Sequence, residues 1–100
     1  MSRDIPAQLL SQWVQTAEPG EVEAELGDIQ LIPVESSNLA AVGYDPNRFE
    51  LFIAFLDGSL YRYDGVPPEE YRGLMTAWDS HGSYFYNEIR LNYEFERIAG

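Results

Sequence analysis

Hydrophobic positions near the start of the chain recur with the spacing of an amphipathic helix. An apolar stripe runs along residues 4–18, formed by Ile5, Leu9, Leu10, Trp13, Val14 and Ala17. Asp4 is placed to cap this helix and Pro6 fits its first turn, while proline and glycine at positions 19 and 20 end it. Glutamate alternates with apolar residues over 21–26, which fits either a short half-buried strand or a linker.

The pattern from residue 39 onward predicts strands joined by tight turns. Three segments have the apolar and aromatic content of strands: Leu39–Tyr44, Phe49–Phe55 and Leu60–Tyr63. The sequence Asp-Pro-Asn at 45–47 marks the first connection and Asp-Gly at 57–58 marks the second. Connections this short join antiparallel neighbours, so we expect a three-stranded antiparallel meander.

The chain after residue 65 has the pattern of helices. Two prolines at 67 and 68 open a helix that extends to about Ala77, with two glutamates in its first turn. A break at 79–82 precedes a last helix over about 83–91, and an apolar tail at 93–98 can close a core.

Together these elements predict one compact domain of the α+β class. Its three-stranded meander is followed by two helices and preceded by an extra N-terminal helix, with a short additional strand in one interpretation of 21–26. Residues 1–31 form the N-terminal helix and acidic segment, and residues 32–100 form the rest.

The connection at residues 56–58 allows two hairpin registers. With a two-residue turn, Phe52 faces Tyr63; with a three-residue loop in which Gly58 is left-handed, Phe52 faces Arg62 instead. The longer loop gives one face without any charge, formed by Phe49, Leu51, Ile53, Phe55, Tyr61 and Tyr63. A sheet packed on one side has such a face, so we expect the longer loop, with both tyrosines turned towards the helices.

Composition limits the classes to which the protein can belong. Seventeen acidic residues and six arginines, with no lysine, give a net charge of −11, and such a surface repels phosphate backbones at long range. The absence of cysteine excludes disulfides, thiolate metal sites and a cysteine nucleophile. No apolar run approaches the roughly 18 residues of a membrane span, and the first residues lack the features of a signal peptide. We therefore expect a soluble cytoplasmic domain that does not contact a membrane.

A series of short motifs runs through the last two thirds of the chain. In order they are Val34-Glu35-Ser36-Ser37, Gly43-Tyr44-Asp45, Phe55 with Gly58, Tyr61-Arg62-Tyr63, Gly65-Val66-Pro67, Ala77, Ser80-His81-Gly82, Tyr84-Phe85 and Ile89-Arg90. Their order and spacing resemble the KTSC domain, a short module found at the C-terminus of some lysyl-tRNA synthetases and as stand-alone bacterial proteins. The resemblance implies a domain of unknown role, for which RNA binding is suggested, and it implies no catalysis. The basic surface expected of an RNA binder is missing here.

The first candidate site is Tyr61, Arg62 and Tyr63 on the third predicted strand. The two tyrosines share a face of the strand, as do the base-stacking aromatics of proteins that bind single-stranded RNA. The alternative is that both belong to the core with their hydroxyls at its edge, and the register favours this alternative.

The second candidate site is the loop before the last predicted helix. It comprises Ser80, His81, Gly82 and Ser83, and the helix adds Tyr84, Asn87 and Arg90. Hydroxyls and free amides in such a loop can hold an anion, whereas the simpler interpretation is a turn capped by a serine. His81 is the only histidine and has no evident orienting partner, so we expect a solvated loop histidine rather than a catalytic base.

These observations predict a small non-enzymatic binding module with no catalytic residue, metal or cofactor. The favoured ligand is RNA or another nucleic acid, because of the resemblance and of the aromatic and arginine residues. The alternative is a protein-interaction module, whose acidic surface and N-terminal helix contact a partner with a basic surface.

Overall fold

Five strands and three helical segments make up the described part of the structure, a computed structural model that describes residues 26–77 and 80–100. In chain order they are β1 (Ile32–Pro33), β2 (Leu39–Asp45), β3 (Glu50–Phe55), β4 (Leu60–Asp64), α1 (Pro68–Thr76), α2 (His81–Tyr84), a π-helical turn (Phe85–Ile89) and β5 (Glu94–Ala99). The strands form one antiparallel sheet in the order β1-β2-β3-β4-β5. The predicted α+β class is confirmed. The predicted N-terminal helix and nearly all of the acidic segment lie outside the described residues.

The sheet has five strands where the sequence predicts three. Besides the meander, β1 pairs with β2 and β5 pairs with β4. The apolar tail expected at 93–98 is thus an edge strand. Its Glu94, Glu96 and Arg97 are exposed, and these charges hide the strand pattern because an edge strand keeps charged side chains outward.

The hairpin between β3 and β4 has the longer loop. Phe52 lies opposite Arg62, as the three-residue connection requires. The Phe55 amide donates to the Ser59 carbonyl at 2.8 Å, and Gly58 between them is left-handed, with a φ of 94°. The predicted register is confirmed.

Both faces of the central strands are buried. The face that carries Leu51, Ile53 and Tyr63 packs against α1 and the π-helical turn. The opposite face carries a second buried cluster, formed by Leu26, Leu31, Ala41, Phe52, Ala54, Leu60 and Ala99. The expectation of a sheet packed on one side is therefore wrong, because residues 26–31 cover the second face.

Gly43 of β2 is the point at which this covering segment lies closest to the sheet. A Cβ atom here would lie 2.9 Å from Ile29 Cγ2 and 3.0 Å from the Gln30 carbonyl oxygen. Only glycine lets the two backbones approach this closely. The glycine therefore allows residues that precede β1 to cover a face that the sequence pattern assigns to solvent.

Helix α1 confirms the helix predicted from the proline pair, with Pro67 at its N-cap. Glu70 of this helix accepts hydrogen bonds from the Tyr84 hydroxyl at 2.8 Å and from the Tyr93 hydroxyl at 3.0 Å. One carboxylate thus connects α1 to the segment that follows it.

The last predicted helix, over residues 83–91, begins two residues earlier than expected and is less regular. Helix α2 has four residues and continues into the five-residue π-helical turn. Ser80 occupies the N-cap position of α2, but its side chain makes no capping hydrogen bond. The buried residues His81, Phe85 and Ile89 recur every four positions, so they lie along one side of this helical segment.

Candidate functional site

A cleft walled by aromatic rings lies between the sheet and the π-helical turn. It encloses about 330 Å³, and its lining includes Phe55, Tyr61, Phe85, Tyr86, Arg90 and Phe95. We call it the aromatic cleft. Strands β3, β4 and β5 supply one wall, and the helical segment with the residues after it supplies the other.

The rings of the aromatic cleft hold one another in place. The Tyr61 ring lies edge-on to Phe55 with 5.6 Å between centroids, and its centroid is 5.7 Å from that of Phe95. Phe95 and Tyr86, on opposite walls, are 56% and 57% exposed. Exposed rings beside a packed floor can receive a flat, largely apolar ligand.

The two tyrosines of β4 have different environments. Tyr63 is 4% exposed and belongs to the core, as the hairpin register predicts. Burial raises the pKa of Tyr63 to about 12. Tyr61 is half-buried, so it offers more ring surface to a ligand in the cleft.

The buried phenols make stability depend on pH in the alkaline range. The pKa of Tyr84 is also raised to about 12, chiefly by burial and then by its hydrogen bond to Glu70. Because the fold favours both neutral phenols, their contribution to stability is complete below pH 10 and is lost as the pH rises towards 12. We expect tyrosinate absorbance to show at least two of the seven tyrosines titrating late, and Tyr63→Phe to remove one of them. A single transition near pH 10 for all seven tyrosines of the folded protein would contradict this.

Arg62 lies on the face of the sheet opposite the aromatic cleft. Its Nε donates to Asp64 Oδ1 at 2.8 Å, and its Nη2 donates to Glu96 Oε1 at 2.9 Å. Neighbours on a strand point to opposite faces. The structure therefore separates Arg62 from the two tyrosines with which the sequence grouped it.

Two other arginines bring positive charge to the aromatic cleft. The Arg90 guanidinium carbon lies 4.5 Å from the centroid of the Tyr86 ring, a cation–π contact. Arg97 lies opposite Tyr61 in the β4–β5 pair, so it shares the cleft face of the sheet. The lining of the cleft thus combines aromatic surface with the Arg90 guanidinium and one carboxylate, Asp57, and Arg97 lies on the same face of the sheet.

A second pocket, of about 500 Å³, adjoins the first, and we call it the polar pocket. Residues 35–38, ahead of β2, form one side, and residues between 80 and 87 form the other. Asn38 and Tyr86 line both the polar pocket and the aromatic cleft. The two pockets therefore lie side by side and meet at these two side chains.

The two sides of the polar pocket meet at Gly82. A Cβ atom there would lie 2.6 Å from Asn38 Oδ1 and 3.1 Å from Ser36 Oγ. Ser36 Oγ itself accepts a hydrogen bond from the Leu39 amide at 3.2 Å and donates to Asn38 Oδ1 at 3.1 Å. Sequence alone indicated the loop at 80–83 but missed this partner loop, for which the only signal was a serine pair and an asparagine ahead of a strand.

His81 lines the polar pocket and yet is buried, with 6% of its surface exposed. The expectation of a solvated loop histidine is therefore wrong, because His81 is the first residue of α2 and not part of the loop. Its Nδ1 is enclosed and has no hydrogen-bond partner among the described residues. Buried polar atoms are rarely left without a partner, so this ring marks a position of functional interest.

The remaining candidates divide between the site and the core. Four of them line the polar pocket, namely Ser80, Gly82, Ser83 and Asn87. Arg90 lines the aromatic cleft. Tyr84 does not join them, since its hydroxyl donates to Glu70 of α1.

Residues 26–77 and 80–100 contain neither a cluster of metal ligands nor a membrane-spanning helix. No group of three or more histidine, aspartate or glutamate side chains in that part of the chain could hold a metal ion. No helix there is long and apolar enough to cross a membrane.

The family model of the KTSC domain matches residues 35–93 of this chain. The chain belongs to the KTSC family. An uncharacterised protein of Stutzerimonas stutzeri is 40% identical over 68 residues, which is 67% of this chain and 94% of that protein. A protein of Tsukamurella paurometabola is 47% identical over 45 residues, which is 45% of this chain and 67% of that protein.

The KTSC fold is also present in a solved structure. The crystal structure of a KTSC domain protein from Yersinia pestis is similar to this chain, with a TM-score of 0.68 and 34% identity, over 71% of this chain and 99% of that one. The Stutzerimonas and Yersinia proteins thus consist of little more than the domain, and the stand-alone bacterial form is confirmed. The family match spans the whole polar pocket and all of the aromatic cleft except Phe95.

Proposed function

We propose that this KTSC domain is a non-catalytic module that binds a short stretch of single-stranded nucleic acid. The observation that carries the proposal is the aromatic cleft, in which exposed Tyr86 and Phe95 stand on opposite walls beside half-buried Tyr61. Proteins bind unpaired bases chiefly by stacking them on aromatic side chains and by hydrogen bonds to the base edges. The Asn38 amide in the cleft lining can make such hydrogen bonds.

The charge of the chain limits how the nucleic acid binds. A net charge of −11 repels phosphates at long range, so the affinity has to come from stacking, which contributes about 1–3 kcal/mol per base. Arg90 and Arg97 at the cleft supply cationic contacts for two phosphates. We therefore expect a short footprint and a shallow salt dependence, with a slope of log K against log salt of about −1.4, because each phosphate of a single strand contributes about −0.7.

Phe95→Ala is expected to weaken the binding of an unpaired RNA hexanucleotide by about 5- to 150-fold, because one stacking surface is lost. The measurement is fluorescence anisotropy of the labelled oligonucleotide at low salt, with backbone amide shifts to locate the contact. Phe49→Ala is the matched control, since Phe49 is 46% exposed but lies at the other end of the β2–β3 hairpin. The proposal fails if no amide of the cleft shifts, or if the two variants weaken binding equally.

A second proposal assigns the acidic surface to a protein partner with a basic surface. From residue 36 onward, ten acidic residues stand against five arginines, and Glu69 and Glu70 occupy the first turn of α1. Complementary charge steers such partners together. A short arginine-rich peptide distinguishes the two proposals: amide shifts confined to α1 favour a protein partner, and the absence of shifts there removes it.

A further inference from the structure

We infer that the polar pocket holds the sugar hydroxyls of the nucleotide whose base lies in the aromatic cleft, so that the site selects ribose over deoxyribose. The inference rests on the proposed function, since it needs a base in the cleft. It assigns a role to the polar pocket, which base stacking in the aromatic cleft does not use.

The position of the polar pocket is the first step. Asn38 and Tyr86 line both pockets, so the two pockets are direct neighbours. In a nucleotide the sugar is joined directly to the base, and the phosphates lie beyond the sugar. The space next to the base cleft is therefore the space that the sugar reaches first.

The chemistry of the lining is the second step. Hydroxyls of Ser37, Ser80 and Ser83 make no hydrogen bond within the described residues, and the Asn87 amide adds both a donor and an acceptor. These groups are neutral and both donate and accept. A sugar hydroxyl has the same two capacities, so it can both donate to and accept from groups of this lining.

The charge of the lining argues against a phosphate in the polar pocket. None of its lining residues is an arginine, and Glu35 is among them. A phosphate would meet a carboxylate there in a chain that already carries a charge of −11. The arginines of this region, Arg90 and Arg97, lie at the aromatic cleft instead.

His81 supplies the third and independent observation. It is 94% buried, being 6% exposed, and its Nδ1 has no partner within the described residues. The ring nevertheless lines the polar pocket. It thus has hydrogen-bonding capacity that the described residues leave unused, in a residue that borders the polar pocket.

The test compares RNA and DNA hexanucleotides of one sequence, by anisotropy, on the full chain. We expect RNA to bind roughly five- to tenfold more tightly, since one or two neutral hydrogen bonds are lost with the 2′-hydroxyl. The double variant Ser83→Ala with Asn87→Ala should reduce this ratio to about twofold or less. Asn47→Ala is the matched control, because Asn47 lies in the turn between β2 and β3, away from both pockets. This variant should keep the full ratio of RNA affinity to DNA affinity.

Each failure has a distinct meaning. Equal affinity for RNA and DNA overturns the sugar site but leaves the proposed function standing, whereas no binding of either removes both. A preference for RNA that survives in the double variant places the discrimination elsewhere and overturns the inference. If a 5′-phosphate raises the affinity for DNA to that for RNA, the polar pocket holds phosphate and the assignment to sugar is wrong.

Discussion

Phe52→Ala is expected to lower the free energy of unfolding by about 3–5 kcal/mol, measured by urea denaturation. Phe52 is fully buried in the cluster that residues 26–31 close, on the face opposite the helices. The cost combines lost burial with the cavity left behind, because a close-packed interior relaxes only in part. The total stability of a small domain is about 5–15 kcal/mol, so this one change removes a large share.

Phe95→Ala is the matched control for Phe52→Ala, because it is the same substitution at a residue that is 56% exposed. It should cost no more than about 1 kcal/mol. If the two variants lose the same stability, the second face of the sheet is not a core, and the covering role of residues 26–31 is refuted.

Phe85→Ala is also expected to lower the free energy of unfolding by about 3–5 kcal/mol, here because the ring of Phe85 packs against other aromatic rings. Phe85 begins the π-helical turn and is 2% exposed. Its ring centroid lies 5.5 Å from that of Phe55 and 5.4 Å from that of Tyr63, both nearly edge-on. The variant loses these ring contacts and leaves a cavity beneath the aromatic cleft, so the cleft should lose ligand affinity together with stability.

Tyr86→Ala, one residue further along, tests the orientation of the π-helical turn. Tyr86 is 57% exposed, and its ring contact with Arg90 is worth about 0.5–1 kcal/mol. Stability should therefore fall by no more than about 1 kcal/mol, in chemical denaturation under the same conditions. A loss at Tyr86 equal to that at Phe85 would show that the helical segment presents a different face to the sheet.

The hairpin register could be predicted because its determinants are local. The loop Leu56-Asp57-Gly58 joins adjacent strands, and only one register leaves a face of the pair free of charge. The burial of Tyr63 follows from the same argument. Pro67 likewise indicates where α1 begins, since proline is favoured at the start of a helix.

The second face and β5 could not be predicted because they depend on contacts between distant parts of the chain. Residues 26–31 carry no strong pattern, and their place on the sheet is set by the close approach at Gly43. In β5, alternating charges mask the pairing with β4. Local propensity does not indicate which segment covers another.

Only part of the site could be predicted, because the rest of it also depends on contacts between distant parts of the chain. Serine and glycine around His81 are typical of a solvated loop. In the fold, however, His81 is buried and is the first residue of α2, and the neighbouring residues do not indicate that burial. The partner loop at 36–38 lies more than 40 residues away in the sequence and approaches Gly82 only in the fold. Arg62 does not form one site with Tyr61 and Tyr63, because strand neighbours point to opposite faces, as the expected hairpin register already implies.

Both open edges of the sheet hinder self-association through main-chain pairing. β1 has two residues, and one of them is Pro33, which has no amide hydrogen to donate. β5 presents Glu94, Glu96 and Arg97 to solvent along its length. Copies of the domain therefore do not readily extend one another's sheets into fibrils through these two strands.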